Sequence, residues 1–333
     1  MRAYNPGVSR SAHGSAEPSW QVGEATIAGT LLRPGPQSSG AGVVFASGSG
    51  PTDRDWNSPL LSGTNGSGKL LAEALAAAGI ASLRYDKSVS GSQAAANITA
   101  LGGLTMQHHT DEFAGAVRVL AEEPSVDRIF GLGNSEGTLH VLHYQLGDPA
   151  IPLAGVVLTG PPGRSVGEVG HAQLAAQAAL VPNGETLLAL YDEAIERFVR
   201  GEPTAPDPAL PEGVQTLLHG LESPLNLPFA RELWRADAAS LLDRVDVPVL
   251  VVIGKKDIQV NWKDDGELLQ RAAAGRPDVT FVFPDDGNHI LKHEPRPLEA
   301  LTAEVAMASY NADDGDLDPE TTSTVVDWLR EHT

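Results

Sequence analysis

Gly133-Asn134-Ser135-Glu136-Gly137 is the stretch of this chain whose residue types and spacing speak most directly of chemistry. It follows the apolar run Ile129-Phe130-Gly131-Leu132 and precedes a helix-compatible run from Thr138 to Leu146. Strand, sharp turn and helix, with serine at the apex of G-x-S-x-G, form a nucleophile elbow. The turn lifts the Ser135 hydroxyl clear of the sheet. Gly133 and Gly137 lack a Cβ, so strand and helix can approach closely there. A serine hydroxyl attacks a carbonyl only if a base takes its proton, and the base needs an acid to orient it.

In chains with this elbow the acid, and then the base, lie downstream of the serine. Of the ten histidines, only His289, His293 and His332 follow any plausible acid. His332 is one residue from the C-terminus on an expected helix. His289 lies in Asp285-Asp286-Gly287-Asn288-His289, a turn just past the expected strand Val279 to Phe283. Working side chains of open α/β sheets gather at the carboxyl ends of strands. His289 is therefore the expected base, and His293 is read as structural. By the same logic Asp257 is the expected acid, because Lys255-Lys256-Asp257 follows the apolar strand Val247 to Ile253. Asp264, Asp265, Asp285 and Asp286 are read as solvated. The oxyanion of a tetrahedral intermediate needs preorganised donors. The backbone N–H of Glu136 is one candidate, and that of Ser49, in Ser47-Gly48-Ser49-Gly50, is the other.

These residues need elements to position them. Gln21 to Ile27 and Thr30 to Arg33 read as a hairpin turning at Ala28-Gly29. Gly42 to Ala46, Ala81 to Tyr85, the elbow strand, Ala154 to Leu158, Val247 to Ile253 and Val279 to Phe283 read as strands. Leu70 to Ala78, Thr105 to Glu123, Asp264 to Ala274 and Thr321 to Glu331 read as helices. Alternating strand and helix imply an α/β fold with a mostly parallel sheet flanked by helices. The alternation breaks after Gly160. Helical patches at His171 to Leu180, Thr186 to Val199 and Val214 to Leu221 suggest a helical cap inserted over the sheet. The expected organisation is a loose arm over 1–20, a core of 21–159 and 246–333, and a cap over 160–245.

With 333 residues, 41% apolar, the chain can fill a sizeable core. Its net charge of −20 disfavours nucleic acid and anionic membranes as partners. Absence of cysteine suits a reducing compartment. No apolar run reaches membrane-spanning length, and Met1 to Trp20 lacks the apolar core of a signal peptide, so a cytoplasmic location is expected. The oligomeric state is left open between monomer and homodimer. The Gly-rich loop at 47–50 lacks the Lys-Ser/Thr of a phosphate loop and the dinucleotide spacing, so no cofactor is expected. His108-His109, His140/His143 and His289/His293 lack the H-E-x-x-H pattern, and no metal site is expected.

Ser47-Gly48-Ser49-Gly50-Pro51-Thr52-Asp53-Arg54-Asp55 resembles the His-Gly-Ser-Gly-Pro-x-Asp-Arg-Asp loop of bacterial α/β-hydrolase carboxylesterases related to serine aminopeptidase-like hydrolases. Arg84-Tyr85-Asp86-Lys87 resembles their Arg-Tyr-Asp-x-Arg-Gly stretch. Gly160 to Arg164 is similar to the start of their cap, Gly254 to Val260 to their acid loop and Asn288 to Lys292 to their histidine loop. The resemblance spans nearly the whole chain after about residue 20. It implies the α/β-hydrolase fold, the triad Ser135, Asp257 and His289, and cleavage of a small-molecule carboxylic ester or lactone. Ser47 departs from the family's His, and Ser88-Val89 from its Arg-Gly, which removes a cation near the site. Small, mainly neutral and apolar substrates are expected, with apolar cap residues Leu174, Ala175, Leu180, Leu187, Leu188 and Leu190 available to line a pocket. Two alternatives stand beside an esterase. An aminopeptidase or amidase would use cap acids such as Glu168, Glu185, Asp192, Glu193 and Glu196 to hold an amine. A non-catalytic small-molecule binder would have retired the triad.

Overall fold

The computed structural model describes residues 14–35, 38–60, 63–312 and 315–333. In chain order the elements are β1 (Ser15–Ala16), β2 (Ser19–Val22), β3 (Ala25–Leu32), β4 (Ala41–Ala46), α1 (Ser67–Ala77), β5 (Ala81–Tyr85), α2 (Ala94–Ala100), α3 (Met106–Ala121), β6 (Arg128–Asn134), α4 (Glu136–Leu146) and β7 (Gly155–Thr159). Five helices then intervene: α5 (Val166–Ala178), α6 (Gly184–Arg200), α7 (Glu212–Leu221), α8 (Leu227–Leu233) and α9 (Ala239–Leu242). The chain closes with β8 (Val249–Val252), α10 (Asp264–Ala272), β9 (Val279–Val282), α11 (Ala303–Tyr310) and α12 (Pro319–Glu331).

The sheet runs β1-β3-β5-β4-β6-β7-β8-β9, with β2 also paired to β3. From β5 through β9 every pairing is parallel, and β3 joins β5 antiparallel. Successive residues of a strand point to opposite faces, and β4 uses both. Val44 and Ala46 pack in one cluster with Phe113, Val117 and Leu120 of α3. Val43 and Phe45 pack in another with Leu71 and Leu75 of α1 and Trp328 and Leu329 of α12. A strand buried on both faces reads as an unbroken apolar run, and all six residues of β4 are buried. The carboxyl ends of β4, β6, β8 and β9 thus open on one edge of the sheet, where the loops carrying Ser49, Ser135, Asp257 and His289 begin.

Two expectations require correction. The hairpin turns at Gly23-Glu24, and β3 is one unbroken strand through Ala28-Gly29. Gly23 takes the turn because it sits at φ +55°. Gly29 serves close approach, since a Cβ there would lie 2.8 Å from the Arg84 carbonyl. The arm expected over 1–20 is not loose throughout. Residues 1–13 lie outside the described residues, but β1 and β2 are sheet strands, and Trp20 packs edge-on against Tyr85 at 5.8 Å.

Helices α5 to α9 occupy the expected cap region and carry an apolar cluster of their own, built on Tyr191, Ala194, Leu210 and Leu218. Asp265, read from sequence as solvated, is instead fully buried on α10. Its Oδ1 accepts from the Arg164 backbone N–H and from Nε, both at 3.0 Å, and its Oδ2 accepts from Nη2 at 2.7 Å. Asn261 N–H adds a further bond at 2.9 Å. The carboxylate is satisfied on every side, which is why it tolerates burial. It fastens the start of the helical insertion to the core. Asp265→Asn should destabilise the protein by about 2 kcal/mol, the scale of a lost charge-assisted network with one partner partly exposed. Urea unfolding of the variant checks this, and an unchanged midpoint would contradict it.

Candidate active site

Ser135 ends β6 and immediately precedes α4, at φ 53° and ψ −122°. A non-glycine residue holds such a conformation only when its surroundings enforce it. They do. Ser135 N–H donates to the Thr159 carbonyl at 2.8 Å, and its own carbonyl accepts from Thr138 N–H at 3.0 Å and Oγ1 at 2.6 Å. The flanking glycines are dictated by contact. A Cβ at Gly133 would stand 2.5 Å from Thr138 Cα, and one at Gly137 would stand 2.2 Å from the Ala46 carbonyl oxygen.

His289 and Asp257, 32 residues apart, meet with Nδ1 to Oδ2 at 2.7 Å. Asp257 Oδ1 accepts from the N–H groups of Gln259 and Val260 at 2.8 and 2.9 Å. Those bonds hold the carboxylate so that its second oxygen faces the imidazole, which fixes the ring and leaves Nε2 as the nitrogen able to take a proton. Ser135 and His289 line one cavity of about 280 Å³, together with Ser49, Asn65, Gln259 and Tyr310. Asn134 was not singled out from sequence. Its Nδ2 donates to Thr159 Oγ1 at 3.1 Å and to the His289 carbonyl at 3.1 Å, so it ties the elbow to the histidine loop. Of the other aspartates, Asp285 is mostly exposed and pairs with Lys255 at 2.5 Å, and Asp286 lies 3.7 Å from Lys256.

The loop after β4 supplies the other wall. Among the described residues, neither Ser49 N–H nor Glu136 N–H donates to a protein acceptor. Glu136 is the first residue of α4, where helical N–H groups have no partner in the helix itself. Two such N–H groups beside a serine hydroxyl are placed as an oxyanion hole would need them. The loop is strapped to the end of β5. Arg54 bonds Asp86 bidentately at 3.1 and 2.7 Å, and Arg84 reaches Asp55 at 3.2 Å. Lys87 Nζ donates to the Gly48 carbonyl at 2.6 Å and pairs with Glu136 at 3.2 Å. Ser47, where the resembling loop has His, has a buried hydroxyl with no partner among the described residues.

A second cavity, of about 660 Å³, shares Ser49 with the first and is lined also by Glu136. Its walls are chiefly apolar: Val89, Leu104, Leu217, Phe229, Leu233 and Trp234 among them. The leucines expected to line the pocket lie elsewhere. Leu174, Leu187 and Leu188 face a groove between α5, α6 and α7, and Leu180 is exposed. Apart from Val166 at the start of α5, the helical insertion's share of the lining comes from α7, α8 and the residues flanking α8. None of Glu168, Glu185, Asp192, Glu193 and Glu196 is among the residues lining either cavity. Arg164 is taken up by Asp265.

The chain belongs to the alpha/beta hydrolase family, which it matches over residues 43–304. Esterase EstD of Thermotoga maritima is 30% identical over 261 residues, 77% of this chain and 56% of that protein. The chain thus spans little more than half the length of that curated relative. Among solved structures, the esterase Pf2001 of Pyrococcus furiosus superposes with a TM-score of 0.56 at 14% identity, covering 99% of this chain and 97% of that one. A proline iminopeptidase of Mycobacterium smegmatis superposes with a TM-score of 0.54 at 17% identity, covering 95% and 98%. At those identities the likeness shows the fold alone. No helix among the described residues is long and apolar enough to cross a membrane.

Beneath the second cavity lies a buried cluster that absorbs three of the histidines considered above. Ser88 N–H donates to Glu112 Oε1 at 2.8 Å, its hydroxyl meets both Glu112 and His108, and His109 Nδ1 lies 2.9 Å from Glu112 Oε2. His140 Nε2 lies 3.3 Å from Glu136 Oε1. Burial pushes both carboxyls up. At Glu112 the His109 charge and bonds from His108, His109 and Ser88 outweigh it, and at Glu136 the Lys87 charge and the His140 bond do. Both end well below the ordinary carboxylate range. Burial lowers His140 and His143 from their ordinary value. All four groups therefore bind protons less readily folded than unfolded, so their contribution to stability is lost as pH falls. The histidine part is complete above about pH 6.5 and the carboxylate part above about pH 4.3. The urea midpoint should hold from pH 8 to 7, decline as pH falls below about 6.5 and drop further below about 4.3. His140→Gln should make the first decline shallower. A midpoint that rises between pH 6.5 and 5 would contradict this assignment.

Proposed function

We propose that this member of the alpha/beta hydrolase family hydrolyses carboxylic esters through an acyl-enzyme on Ser135. The observation that carries the reading is the strained elbow serine sharing a cavity with His289, whose Nδ1 stands 2.7 Å from Asp257. Ser135 Oγ attacks the ester carbonyl while His289 Nε2 takes its proton. Asp257 orients the ring and stabilises the imidazolium. The carbonyl oxygen, now an oxyanion, is received by Ser49 N–H and Glu136 N–H. On collapse His289 returns the proton to the departing alcohol oxygen, leaving the acyl group on Ser135. Water attacks the acyl carbonyl with the same base, and the free acid leaves as Ser135 regains its proton. In a lactone the alcohol remains tethered to the acyl group through the same steps.

The apolar cavity suits the acyl portion, because Ser49 and Glu136 line it, whereas His289, which would give the leaving alcohol its proton, lines the smaller cavity. Lys87, the lysine among the described residues lining the apolar cavity, is held by Glu136, and His109 there by Glu112, and the net charge of −20 repels anions at long range. Neutral, apolar acyl groups are therefore favoured. The name of the EstD relative supports ester chemistry. An aminopeptidase would need an acidic anchor for the substrate amine, and the acids of α5 and α6 lie outside both cavities. A retired scaffold that only binds would have no use for a strained serine or a buried His289–Asp257 pair.

Ser135→Ala should lower kcat on a neutral aryl ester by about 10⁴-fold or more while leaving thermal unfolding nearly unchanged. Near-native turnover in that variant would remove Ser135 as nucleophile. In the native protein, an aryl octanoate should exceed both its ω-carboxylate analogue and an aminoacyl anilide of similar size in kcat/KM. A higher kcat/KM for the anilide would move the reading to a peptidase. A win for the carboxylate would mean that Lys87 is available to substrate.

A further inference from the structure

We propose that Lys87 is the positioning residue of the oxyanion hole, its ammonium holding the Gly48 carbonyl and, through the Glu136 carboxylate, linking the two residues whose N–H groups receive the oxyanion. This rests on the ester-hydrolase reading and adds to it a residue outside the triad.

The geometry begins with a peptide bond. Gly48 C=O and Ser49 N–H belong to one planar trans unit, so they point in opposite directions. Lys87 Nζ grips that carbonyl at 2.6 Å. Fixing the oxygen on one side fixes the aim of the N–H on the other. The peptide sits directly over the nucleophile, since a Cβ on Gly48 would lie 3.4 Å from Ser135 Cβ. The cation also polarises the amide, which strengthens its N–H as a donor. The second donor is reached through Glu136. Its carboxylate lies 3.2 Å from the same ammonium, and its backbone N–H opens α4 beside Ser135. One buried ion pair thus connects a donor in the loop after β4 with a donor at the start of α4.

The clamp is itself clamped. The Lys87 carbonyl accepts from Ser90 N–H at 2.8 Å and Ser90 Oγ at 3.1 Å. The next residue, Ser88, is held by Glu112 through its N–H and by Asn97 through its carbonyl at 3.0 Å. The lysine stem therefore departs from a fixed point, and the whole side chain retains only 4% exposure. Stability alone does not account for such a pair, because a buried salt bridge is often no better than well-packed apolar side chains. Preorganising donors before the charge appears does account for it, since donors already aimed cost no reorganisation during the reaction.

The test compares Lys87→Met, Lys87→Arg and the double variant Lys87→Met/Glu136→Gln on a neutral aryl ester. It also measures inhibition by an alkyl trifluoromethyl ketone, whose adduct with Ser135 carries the oxyanion. In Lys87→Met kcat should fall by about 10²-fold, the scale of losing an oxyanion donor. KM should stay within about threefold, and the ketone's inhibition constant should rise by a factor comparable to the loss in kcat. Lys87→Arg should recover part of kcat, because it can still donate to the Gly48 carbonyl. The double variant removes both buried charges, so it should regain thermal stability without regaining kcat. A folded Lys87→Met variant with kcat within about threefold of native would overturn the proposal, as would kcat that returns together with stability in the double variant. Either result leaves the esterase reading standing, whereas a native protein that hydrolyses no ester at all would sink both.

Discussion

Ser135 sits at φ 53° and ψ −122°, a conformation that costs a non-glycine residue about 1–3 kcal/mol. Much of the surrounding structure can be understood as what holds it there. The turn survives because β6 and α4 press together at Gly133 and Gly137 with no side chain between them. Thr159 and Thr138 satisfy the backbone on either side of the serine. Asn134 carries the constraint outward by bonding β7 and the His289 carbonyl at once. Ser135, the His289 loop and β7 are thereby tied together through one side chain.

Charge does the remaining fastening. The chain carries 23 basic residues against 43 acidic ones, so cations are scarce, and those around the site are engaged. Arg54 holds Asp86, Arg84 faces Asp55, Lys87 holds Glu136 and Arg164 holds Asp265. Partly buried pairs of this kind are screened less by salt than surface pairs. They bind the loop after β4 to the end of β5, and the start of the helical insertion to α10. Among the described residues lining the larger cavity, the lysine is thus committed to Glu136, which fits an apolar, neutral guest.

The local features were the legible ones. G-x-S-x-G names its own backbone geometry, and strand ends followed by Asp257 and His289 pointed to side chains that the structure brings within 2.7 Å. What escaped the sequence depends on partners far along the chain. Gly29 looked like a turn because its reason, the Arg84 carbonyl, is 55 residues away. Asp265 looked solvated because the Arg164 that buries it lies 101 residues earlier. The helices of the insertion are amphipathic in α6 and α7 alike, and only the tertiary packing brings α7, not α6, to line the cavity. The α2 helix, Ala94–Ala100, carried no boundary signal strong enough to separate it from a loop. The departure at Ser88 read as a lost cation. In the fold it is a buried hydroxyl and N–H bound to Glu112, and its neighbour Val89 adds to the apolar wall.

The central claim is that the strained turn, the His289–Asp257 pair and the two N–H donors together make Ser135 a nucleophile. Reaction with an alkyl fluorophosphonate, followed by peptide mapping, tests it without assuming any substrate. The account expects one adduct per chain, on Ser135, formed orders of magnitude more slowly in His289→Gln and absent after unfolding in urea. Failure to label the folded protein, or labelling at another serine at the same rate in both proteins, would contradict it.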